Sequence, residues 1–248
     1  MTTDIQTELA LSDEGSLSTG DAENRSDSAV EVAVSQAAYS TSSILARPLP
    51  AWKRVMDVVG VIVLAPLLVL PLVLVALYIR LVSRGPALFV QSRLGHGGEY
   101  FPIFKFRTMH VVAGGREEAH RAYVASHAES DEPIAKPDHS ESFIPGGAFL
   151  RATSIDELPQ LLNVLRGEMS LVGPRPDVLH REDYTERQLR RFEVHPGMTG
   201  LWQVSGKNEL SFEEMIDLDL QYASKPTLKL DLWILLKTVA VLLWERNE

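Results

Sequence analysis

Two adjacent carboxylates, Asp156 and Glu157, stand a few residues after Arg151 in this chain of 248 residues. A guanidinium can hold phosphate oxygens through paired hydrogen bonds, so the segment is a candidate for handling phosphate. The same residues allow a plainer interpretation, in which Asp156 caps a helix and Glu157 is a solvated acid in its first turn. The elements around the pair must position it, and they bear on the choice.

A short amphipathic helix is predicted directly after the pair. Leucines at 158, 161, 162 and 165 have the spacing of one helical face, and Gly167 favours an end of the helix there. Pro159 lacks an N–H and fits only the first turn, which argues against Ser154 as the N-cap and places the start at or after Asp156. The free N–H groups and the dipole of such a terminus would keep the carboxylate ionised and would attract a phosphate.

Three further cations are candidates for phosphate contacts. Lys105 and Arg107 alternate with phenylalanines on a predicted strand, so both are expected on one face, roughly 7 Å apart. Arg175 lies between two prolines, which fix the direction of its guanidinium. A solvated strand face and a rigid turn with an exposed arginine are the corresponding alternatives.

The elements around these residues are predicted to be short. A strand at 87–91 and a partner at 101–109 are joined by a glycine-rich turn at 95–98, which predicts a β-hairpin. A charged helix is predicted at 180–193 and another at about 212–222, where Asp217 and Asp219 could both be ordinary surface acids. Residues 111–142 are expected to form a polar helix-and-loop insertion without chemistry of its own.

One segment is apolar enough to enter a bilayer. Residues 58–79 contain no charged side chain and have about the length of a membrane-crossing helix, and a buried core helix is rarely so uniformly apolar. Pro66 and Pro71 lie in its middle, and cations flank both ends. These features favour a re-entrant helix broken at one of the prolines over a full crossing. The apolar segment at 232–244 favours interfacial membrane contact over a second span.

Composition separates a tail from the rest of the chain. The net charge is −9, yet residues 1–46 hold eight acids against Arg25 alone. That segment has no hydrophobic period and no signal-peptide pattern, and it is predicted to be disordered. The sequence contains no cysteine, which excludes a thiol nucleophile, a disulfide framework and a thiolate zinc site.

The predicted organisation is a disordered acidic tail at 1–47, a re-entrant membrane anchor at 48–85 and a catalytic domain at 86–248. The fold class is α/β, as a small membrane-associated domain with a short hairpin and several amphipathic or interfacial helices.

Six motifs taken together closely resemble the bacterial sugar transferases, the monotopic phosphoglycosyl transferases that start lipid-linked glycan assembly. The resemblance covers about residues 52–244 in the family's order, and the short members that initiate exopolysaccharide synthesis are the most similar. The motifs are Lys53-Arg54 with Asp57, Lys-Phe-Arg-Thr-Met at 105–109, Ser-Ile-Asp-Glu-Leu-Pro-Gln at 154–160, Val-Gly-Pro-Arg-Pro at 172–176, Pro-Gly-Met-Thr-Gly-Leu-Trp-Gln at 196–203 and Asp-Leu-Gln-Tyr at 219–222.

The resemblance implies a reaction and a role for each marked residue. A nucleotide diphosphate sugar, UDP-glucose or UDP-galactose by similarity, gives its sugar-1-phosphate to polyprenyl (undecaprenyl) phosphate and releases UMP. Asp156 matches the family's nucleophile, which forms a covalent phosphosugar intermediate. Glu157 matches the acid that binds Mg²⁺, and Asp219 an acid needed for activity. The remaining matches are the basic positions Arg151, Lys105 and Arg175 at the phosphates, and Pro71, better placed than Pro66, at the helix break.

The implied setting is the cytoplasmic face of the bacterial inner membrane. Its partners are the nucleotide sugar, polyprenyl phosphate and membrane lipid, with no nucleic acid, and a homo-oligomer or a complex with other glycan-assembly proteins is compatible with this. His195 stands where relatives often carry Arg or Lys, so a phosphate contact there would depend on pH near neutrality. Lys207 replaces an Arg, and residues 111–146 lack the family's Asp-Pro-Arg pattern. A non-catalytic membrane scaffold and a prenyl-phosphate hydrolase are the alternative functions.

Overall fold

The structure is a computed structural model that describes residues 44–110, 116–127, 142–206 and 209–244. Lys207, most of the 111–146 segment and the predicted tail up to residue 43 therefore lie outside the described residues. The end of the predicted tail, however, belongs to the folded body. Ile44 packs against a hydrophobic cluster, and the Arg47 N–H donates to the Glu193 carbonyl at 2.8 Å.

The described residues form a mixed α/β fold of helices and two small sheets, which confirms the predicted class. In chain order the elements are α1 (Ala51–Val82), β1 (Leu88–Leu94), β2 (Tyr100–Phe106), α2 (Arg116–His127), α3 (Gly147–Ala152), α4 (Leu161–Arg166), β3 (Ser170–Val172), α5 (Glu186–Leu189), β4 (Gly197–Thr199), α6 (Phe212–Ser224) and α7 (Leu228–Trp244). Short 3₁₀ helices lie at His96–Gly98, Ile155–Gln160, Arg181–Asp183, Arg190–Glu193 and Trp202–Val204.

The predicted hairpin is present, because β1 and β2 pair in antiparallel fashion. Its turn holds Gly97 at φ +66°, a left-handed conformation that favours glycine. The prediction ended the first strand at Gln91, whereas the structure extends it to Leu94 and pairs Arg93 with Phe101. The parallel pair of β3 and β4 was not predicted, because each strand has only three residues and shows no period.

The charged helix predicted at 180–193 is three short pieces, which corrects that expectation. The Thr185 hydroxyl accepts a hydrogen bond from the Gln188 N–H, and the Gln188 Oε1 accepts one from the Thr185 N–H at 2.9 Å. This capping box starts a new helix in the middle of the predicted one. The helix predicted at 212–222 is confirmed as α6.

Three hydrophobic clusters hold the body together. The first joins α1, α4, β3, α6 and α7, the second lies under α2, α5 and α6, and the third lies where the end of α1 meets β2 and α3. Representative members are Val61, Val164, Val172, Tyr222 and Ile234 in the first, Leu94, Val124, Phe192 and Ile216 in the second, and Ile79, Phe106, Ile144 and Leu150 in the third.

Helix α1 is the one helix of the described residues that is long and apolar enough to cross a membrane, by length and composition. Helical backbone continues through Pro66 and Pro71, so neither proline ends the helix as a complete break would. A proline removes a hydrogen bond and can bend an axis without ending the helix. The middle of α1 is exposed, with Leu67 at 72% and Leu70 at 65% of their accessible surface.

Both ends of α1 are fixed to the same folded body. At the first end, Lys53 Nζ donates to Asp231 Oδ2 at 2.5 Å, and Asp57 accepts from the Leu171 N–H at 2.9 Å. At the other end, Arg107 Nη1 donates to Ser83 Oγ at 2.9 Å. A re-entrant path needs both ends on one side of the membrane, and these contacts are what such a path requires. The path itself stays a prediction.

Candidate active site

The acid pair lies in a 3₁₀ helix, not at the start of the predicted α-helix. Ser154 has φ +56°, so the chain reverses sharply between α3 and the 3₁₀ helix Ile155–Gln160. Pro159 is accommodated inside this tighter helix, and α4 begins only at Leu161. The expected α-helical N-terminus at Asp156 is therefore wrong, and the carboxylate depends on side chains for its surroundings.

The predicted leucine face of α4 is only partly buried. Leu161 is packed in the core, whereas Leu162 is 47% and Leu165 is 41% exposed. Asn163 and Val164 take the inner positions instead. Asn163 accepts from the Phe104 N–H at 3.1 Å and donates to the Pro102 carbonyl at 2.6 Å, which ties α4 to β2.

Glu157 is held by two of the predicted cations. Arg175 Nη1 donates to Oε2 at 2.9 Å and Nη2 donates to Oε1, while Lys105 Nζ donates to Oε1 at 3.1 Å. Burial alone would raise the pKa of Glu157, but the charges of Arg175 and Lys105 outweigh burial and hold that pKa well below its usual range. The structure therefore brings together three residues that the sequence analysis had marked separately.

Asp156 is left without such partners. Its side chain is buried, and it accepts no hydrogen bond from the part of the chain that the structure describes. Burial and the charge of Glu157 raise the pKa of Asp156 to about 6, against the opposing charges of Lys105, Arg151 and Arg175. At neutral pH the group is mostly ionised, so it offers a carboxylate whose lone pairs are free.

Arg151 lies beside Asp156, as predicted from the spacing. Its guanidinium packs over the Phe143 ring at 5.5 Å from the centroid, and Nη1 lies 3.5 Å from the sulfur of Met109. Its charge lowers the pKa of Asp156. Arg93 on β1 also acts electrostatically on this cluster, through Arg175 and Glu157.

Arg107 does not join this cluster, which corrects the expectation that it projects together with Lys105. The Arg107 side chain is buried and its guanidinium donates to the carbonyls of Pro86, Arg84 and Ser83 as well as to the Ser83 hydroxyl. Because these donors are occupied by the chain after α1, Arg107 fixes the end of that helix. The structure gives no support for a phosphate contact by Arg107.

Asp219, predicted as a catalytic acid, is fully buried in this structure. Its carboxylate pairs with Arg191 Nη2 at 2.5 Å. Arg191 in turn donates to Asp177 Oδ2 and to the Arg175 carbonyl, both at 2.7 Å. These contacts link Asp219 through Arg191 to the backbone of Arg175.

His195 lies away from the acid pair. Its ring stacks on His96 with centroids 3.9 Å apart, beside Lys53 and Arg54. Burial, with the charges of His96, Lys53 and Arg54, lowers the pKa of His195 to about 4. The ring is therefore neutral near pH 7, and the expected pH-dependent phosphate contact near neutrality is not supported.

Sequence reasoning missed Arg93 and the buried network of Arg191, Asp177 and Tyr184. Arg93 was missed because the first strand was predicted to end at Gln91. A longer strand would have placed Arg93 on the same face of the hairpin as Lys105. Arg191 was assigned to a charged helix whose face could not be determined. Asp177 follows the marked Arg175 closely and could have been found from that spacing.

Together, the apolar helix and the carboxylate pair with its neighbouring cations define a membrane-associated α/β protein with a charged candidate site. The chain belongs to the bacterial sugar transferase family, because the family's model, described as "Bacterial sugar transferase", matches residues 49–245.

Several curated relatives are similar over most of this chain. It is 43% identical over 205 residues to a UDP-glucose:undecaprenyl-phosphate glucose-1-phosphate transferase of Caulobacter vibrioides, covering 79% of this chain and 71% of that protein. It is 38% identical over 200 residues to the exopolysaccharide production protein ExoY of Rhizobium meliloti, covering 79% and 87%. It is 39% identical over 194 residues to the galactosyl transferase CpsE of Streptococcus agalactiae, covering 77% of this chain and 42% of CpsE. The chain thus spans about two fifths of the length of CpsE and of some other relatives.

Proposed function

We propose that this chain transfers a sugar-1-phosphate from a nucleotide diphosphate sugar to polyprenyl phosphate. The observation that carries the proposal is the unequal environment of two adjacent acids. Glu157 is held on both oxygens by Arg175 and Lys105, while Asp156 is ionised and unbonded. This contrast favours Asp156 as the nucleophile, an order that adjacency alone does not decide.

In the first step, a carboxylate oxygen of Asp156 attacks the phosphorus that carries the sugar. An O–P bond forms to Asp156, the bond between the two phosphates breaks, and its electron pair leaves on the phosphate of the nucleoside monophosphate, UMP for a UDP-sugar donor. The product is an aspartyl phosphosugar, and carboxylates form covalent phosphoryl intermediates in other enzymes.

Charge repulsion is the main obstacle to this attack, since both reactants are anions. Lys105, Arg175 and Arg151 lie where they can offset the charge that develops on the phosphate oxygens. Glu157 keeps Lys105 and Arg175 in place before the donor binds. Donor phosphates would then compete with Glu157 for the same two cations.

Mg²⁺ would find a carboxylate here once the donor phosphates have taken Lys105 and Arg175 from Glu157. Among the described residues no group of three acids or histidines could hold a metal ion, and Mg²⁺ is commonly bound by one or two carboxylates together with substrate phosphates. Glu157 would hold it, beside Asp156. When bound, it would neutralise charge on the diphosphate.

In the second step, a phosphate oxygen of polyprenyl phosphate attacks the same phosphorus and releases the Asp156 carboxylate. One site thus serves a soluble donor and a membrane-bound acceptor in turn, which gives ping-pong kinetics. The acceptor requires a site at the bilayer surface, and α1 supplies a membrane anchor whose two ends both dock on the catalytic body. A cytoplasmic face of the inner membrane suits the nucleotide sugar.

The donor is proposed to be UDP-glucose or UDP-galactose. The relatives in Caulobacter vibrioides and Salmonella typhimurium are named for glucose-1-phosphate and galactose transfer to undecaprenyl phosphate. Exopolysaccharide assembly is the proposed context, as the name of ExoY indicates for that relative.

The test is UMP release and intact mass of the detergent-solubilised full chain with Mg²⁺ and a panel of UDP-sugars. Without lipid, one donor should give a single burst of UMP and a mass increase of one hexose phosphate on the protein. Undecaprenyl phosphate should then remove the added mass and give continuous turnover. Asp156→Asn should abolish both, whereas Glu157→Gln should fold and, because the proposed Mg²⁺ ligand is lost, bind the donor more weakly in the presence of Mg²⁺.

Other outcomes would point elsewhere. UMP release that continues without lipid, with free sugar phosphate as product, would indicate a hydrolase. No UMP release from any donor by folded protein with lipid present would indicate a non-catalytic scaffold. A mass increase that persists in Asp156→Asn would place the nucleophile on another residue.

A further inference from the structure

Arg93 is a partly buried cation, with its Nε fully buried, on the same sheet face as the active-site Lys105. It pairs across the hairpin with Phe101, and Phe101 and Lys105 share the parity of β2. Cross-strand partners project to the same side, and so do residues an even number apart. The position of Arg93 on β1 therefore directs its side chain to the face on which Lys105 meets Glu157.

No acid of the described residues forms an ion pair with Arg93. Nη2 donates to the neutral amide oxygen of Gln91 at 2.5 Å, and Nε is buried without a partner among the described residues. Asp177 acts on it electrostatically, but that carboxylate already accepts from Arg191 and from the Tyr184 hydroxyl. A partly buried charge without an ion pair is costly to fold, and an anionic ligand at this position would offset that cost.

Burial lowers the pKa of Arg93 to about 10, so the guanidinium is still charged at neutral pH. The active site then holds an excess of positive charge. Four cations, Arg93, Lys105, Arg175 and Arg151, face the two acids of the pair. Asp177 offsets part of the charge of Arg93, so the cations exceed the acids by at least one when all are ionised. A nucleoside diphosphate sugar carries two negative charges.

The hairpin also orders the cations along one direction. The end of β2 near Phe106 adjoins the end of α1, because Arg107 binds Ser83 there. Arg93 lies opposite Phe101, and Phe101 is four residues before Lys105 on β2. Arg93 is therefore about 13 Å farther than Lys105 from the Phe106 end of the hairpin. Lys105 is therefore nearer to the last turn of α1 than Arg93 is, and the two cations can contact different phosphates of one extended ligand.

We propose that Arg93 binds the nucleotide-side phosphate of the donor diphosphate. The proposal rests on the transferase function proposed above and adds a binding residue to it. Arg93 forms hydrogen bonds to that phosphate in the donor and in the released nucleoside monophosphate. It does not serve the lipid phosphate, which approaches from the α1 side.

The test is equilibrium binding of UDP-glucose, UMP and farnesyl phosphate to the full chain in detergent, comparing Arg93→Gln, Arg93→Lys and the intact protein. Arg187→Gln is the matched control, because Arg187 is an exposed arginine paired with Glu213 and Asp217. We expect Arg93→Gln to lower the affinity for UDP-glucose and for UMP by on the order of tenfold to a hundredfold. Farnesyl phosphate should bind unchanged, and Arg93→Lys should recover part of the loss.

Thermal unfolding without ligand separates binding from structure. Because Arg93 is a partly buried charge without an ion pair, Arg93→Gln should keep or raise the unfolding midpoint of the ligand-free protein. A lower midpoint together with an equal loss for all three ligands would show a structural role and overturn the proposal. Unchanged UMP affinity in Arg93→Gln would also overturn it.

The failure of the proposed function gives a different pattern. If the folded intact protein binds neither UDP-glucose nor UMP, the transferase proposal fails, and inorganic pyrophosphate becomes the probe. Pyrophosphate binding that is lost in Arg93→Gln but kept in Arg187→Gln would retain Arg93 as a diphosphate-binding residue. Pyrophosphate binding that does not depend on Arg93 would overturn this inference as well.

Discussion

Asp156 and Glu157 are adjacent acids, yet their replacement by the amides should change stability in opposite directions. The folded protein disfavours the charged form of Asp156, because burial and Glu157 raise its pKa to about 6. It favours the charged form of Glu157, because Arg175 and Lys105 outweigh the effect of burial and hold its pKa well below the usual range. At pH 7.5 we expect Asp156→Asn to stabilise the metal-free protein and Glu157→Gln to destabilise it.

The size of the Asp156 effect follows from proton linkage. A rise of the pKa from 3.8 to about 6 corresponds to about 3 kcal/mol. The folded state binds this proton more tightly than the unfolded state, so stability falls as pH rises from 3.8 to about 6. The penalty is complete above that window and absent below it. For Glu157 the sign is reversed. Glu157→Gln should lower the free energy of unfolding by about 2 kcal/mol or more at neutral pH, because Arg175 and Lys105 lose their partner.

The assay is thermal unfolding of the detergent-solubilised protein in a chelator, at pH 7.5 and at pH 5. For a chain of this size, about 3 kcal/mol corresponds to a midpoint shift of about 6–12 °C. The gain in Asp156→Asn should shrink at pH 5, where the wild-type carboxyl is largely protonated. Asp217→Asn is the control, because Asp217 is an exposed acid paired with Arg187 and should shift the midpoint little.

A lower midpoint for Asp156→Asn at pH 7.5, with the control unchanged, would refute this reasoning. It would mean that the Asp156 carboxylate is stabilised by its surroundings and is not a free nucleophile held at a cost. Loss of turnover alone would not test the point, because both amides are expected to be poor catalysts.

Three further predictions concern residues that position the site. Arg191→Met should lower the free energy of unfolding by about 3–5 kcal/mol, because Asp219 is left buried and unpaired; adding Asp219→Leu should restore stability in urea unfolding but not UMP release. Ser154→Gly should raise stability by about 1 kcal/mol, because it relieves a left-handed conformation, while turnover falls as the Asp156 segment loosens. Arg107→Met should speed hydrogen exchange around Ser83 and leave the affinity for UDP-glucose unchanged.

The features that could be predicted are those with a long or repeated pattern. The uncharged run at 58–79 predicted α1, the alternation around a glycine-rich turn predicted the hairpin, and the spacing at 212–222 predicted α6. The acid pair was visible because Asp156 and Glu157 are neighbours in sequence. Each of these signals lies within one segment and needs no knowledge of tertiary contacts.

The rest depends on contacts between distant segments. Lys105 and Arg107 share a strand parity, but Arg107 follows the last residue of β2 and turns to the end of α1. In the sequence, Asp219 looks like a surface acid of an amphipathic helix. It can be buried because Arg191, from a different segment, supplies its ion-pair partner. The 3₁₀ helix around Asp156 follows Ser154, whose backbone is in the left-handed conformation. No periodic pattern in the sequence predicts that conformation.

The backbone around Arg175 explains why the segment with His195 can serve the site without touching a ligand. The Gly173 N–H donates to the Thr199 carbonyl and the Gly197 N–H donates to the Pro174 carbonyl, both at 2.9 Å. A Cβ at Gly173 would overlap the His195 carbonyl, so the two chains approach more closely than any side chain allows.

This close pairing fixes Arg175 from the β4 side, while Arg191 fixes its carbonyl from the other. The guanidinium that holds Glu157 is therefore positioned by backbone contacts and a buried ion pair. Such a preset cation can exchange a carboxylate for a phosphate without reorganising, which is what an electrostatic catalyst of phosphate transfer requires.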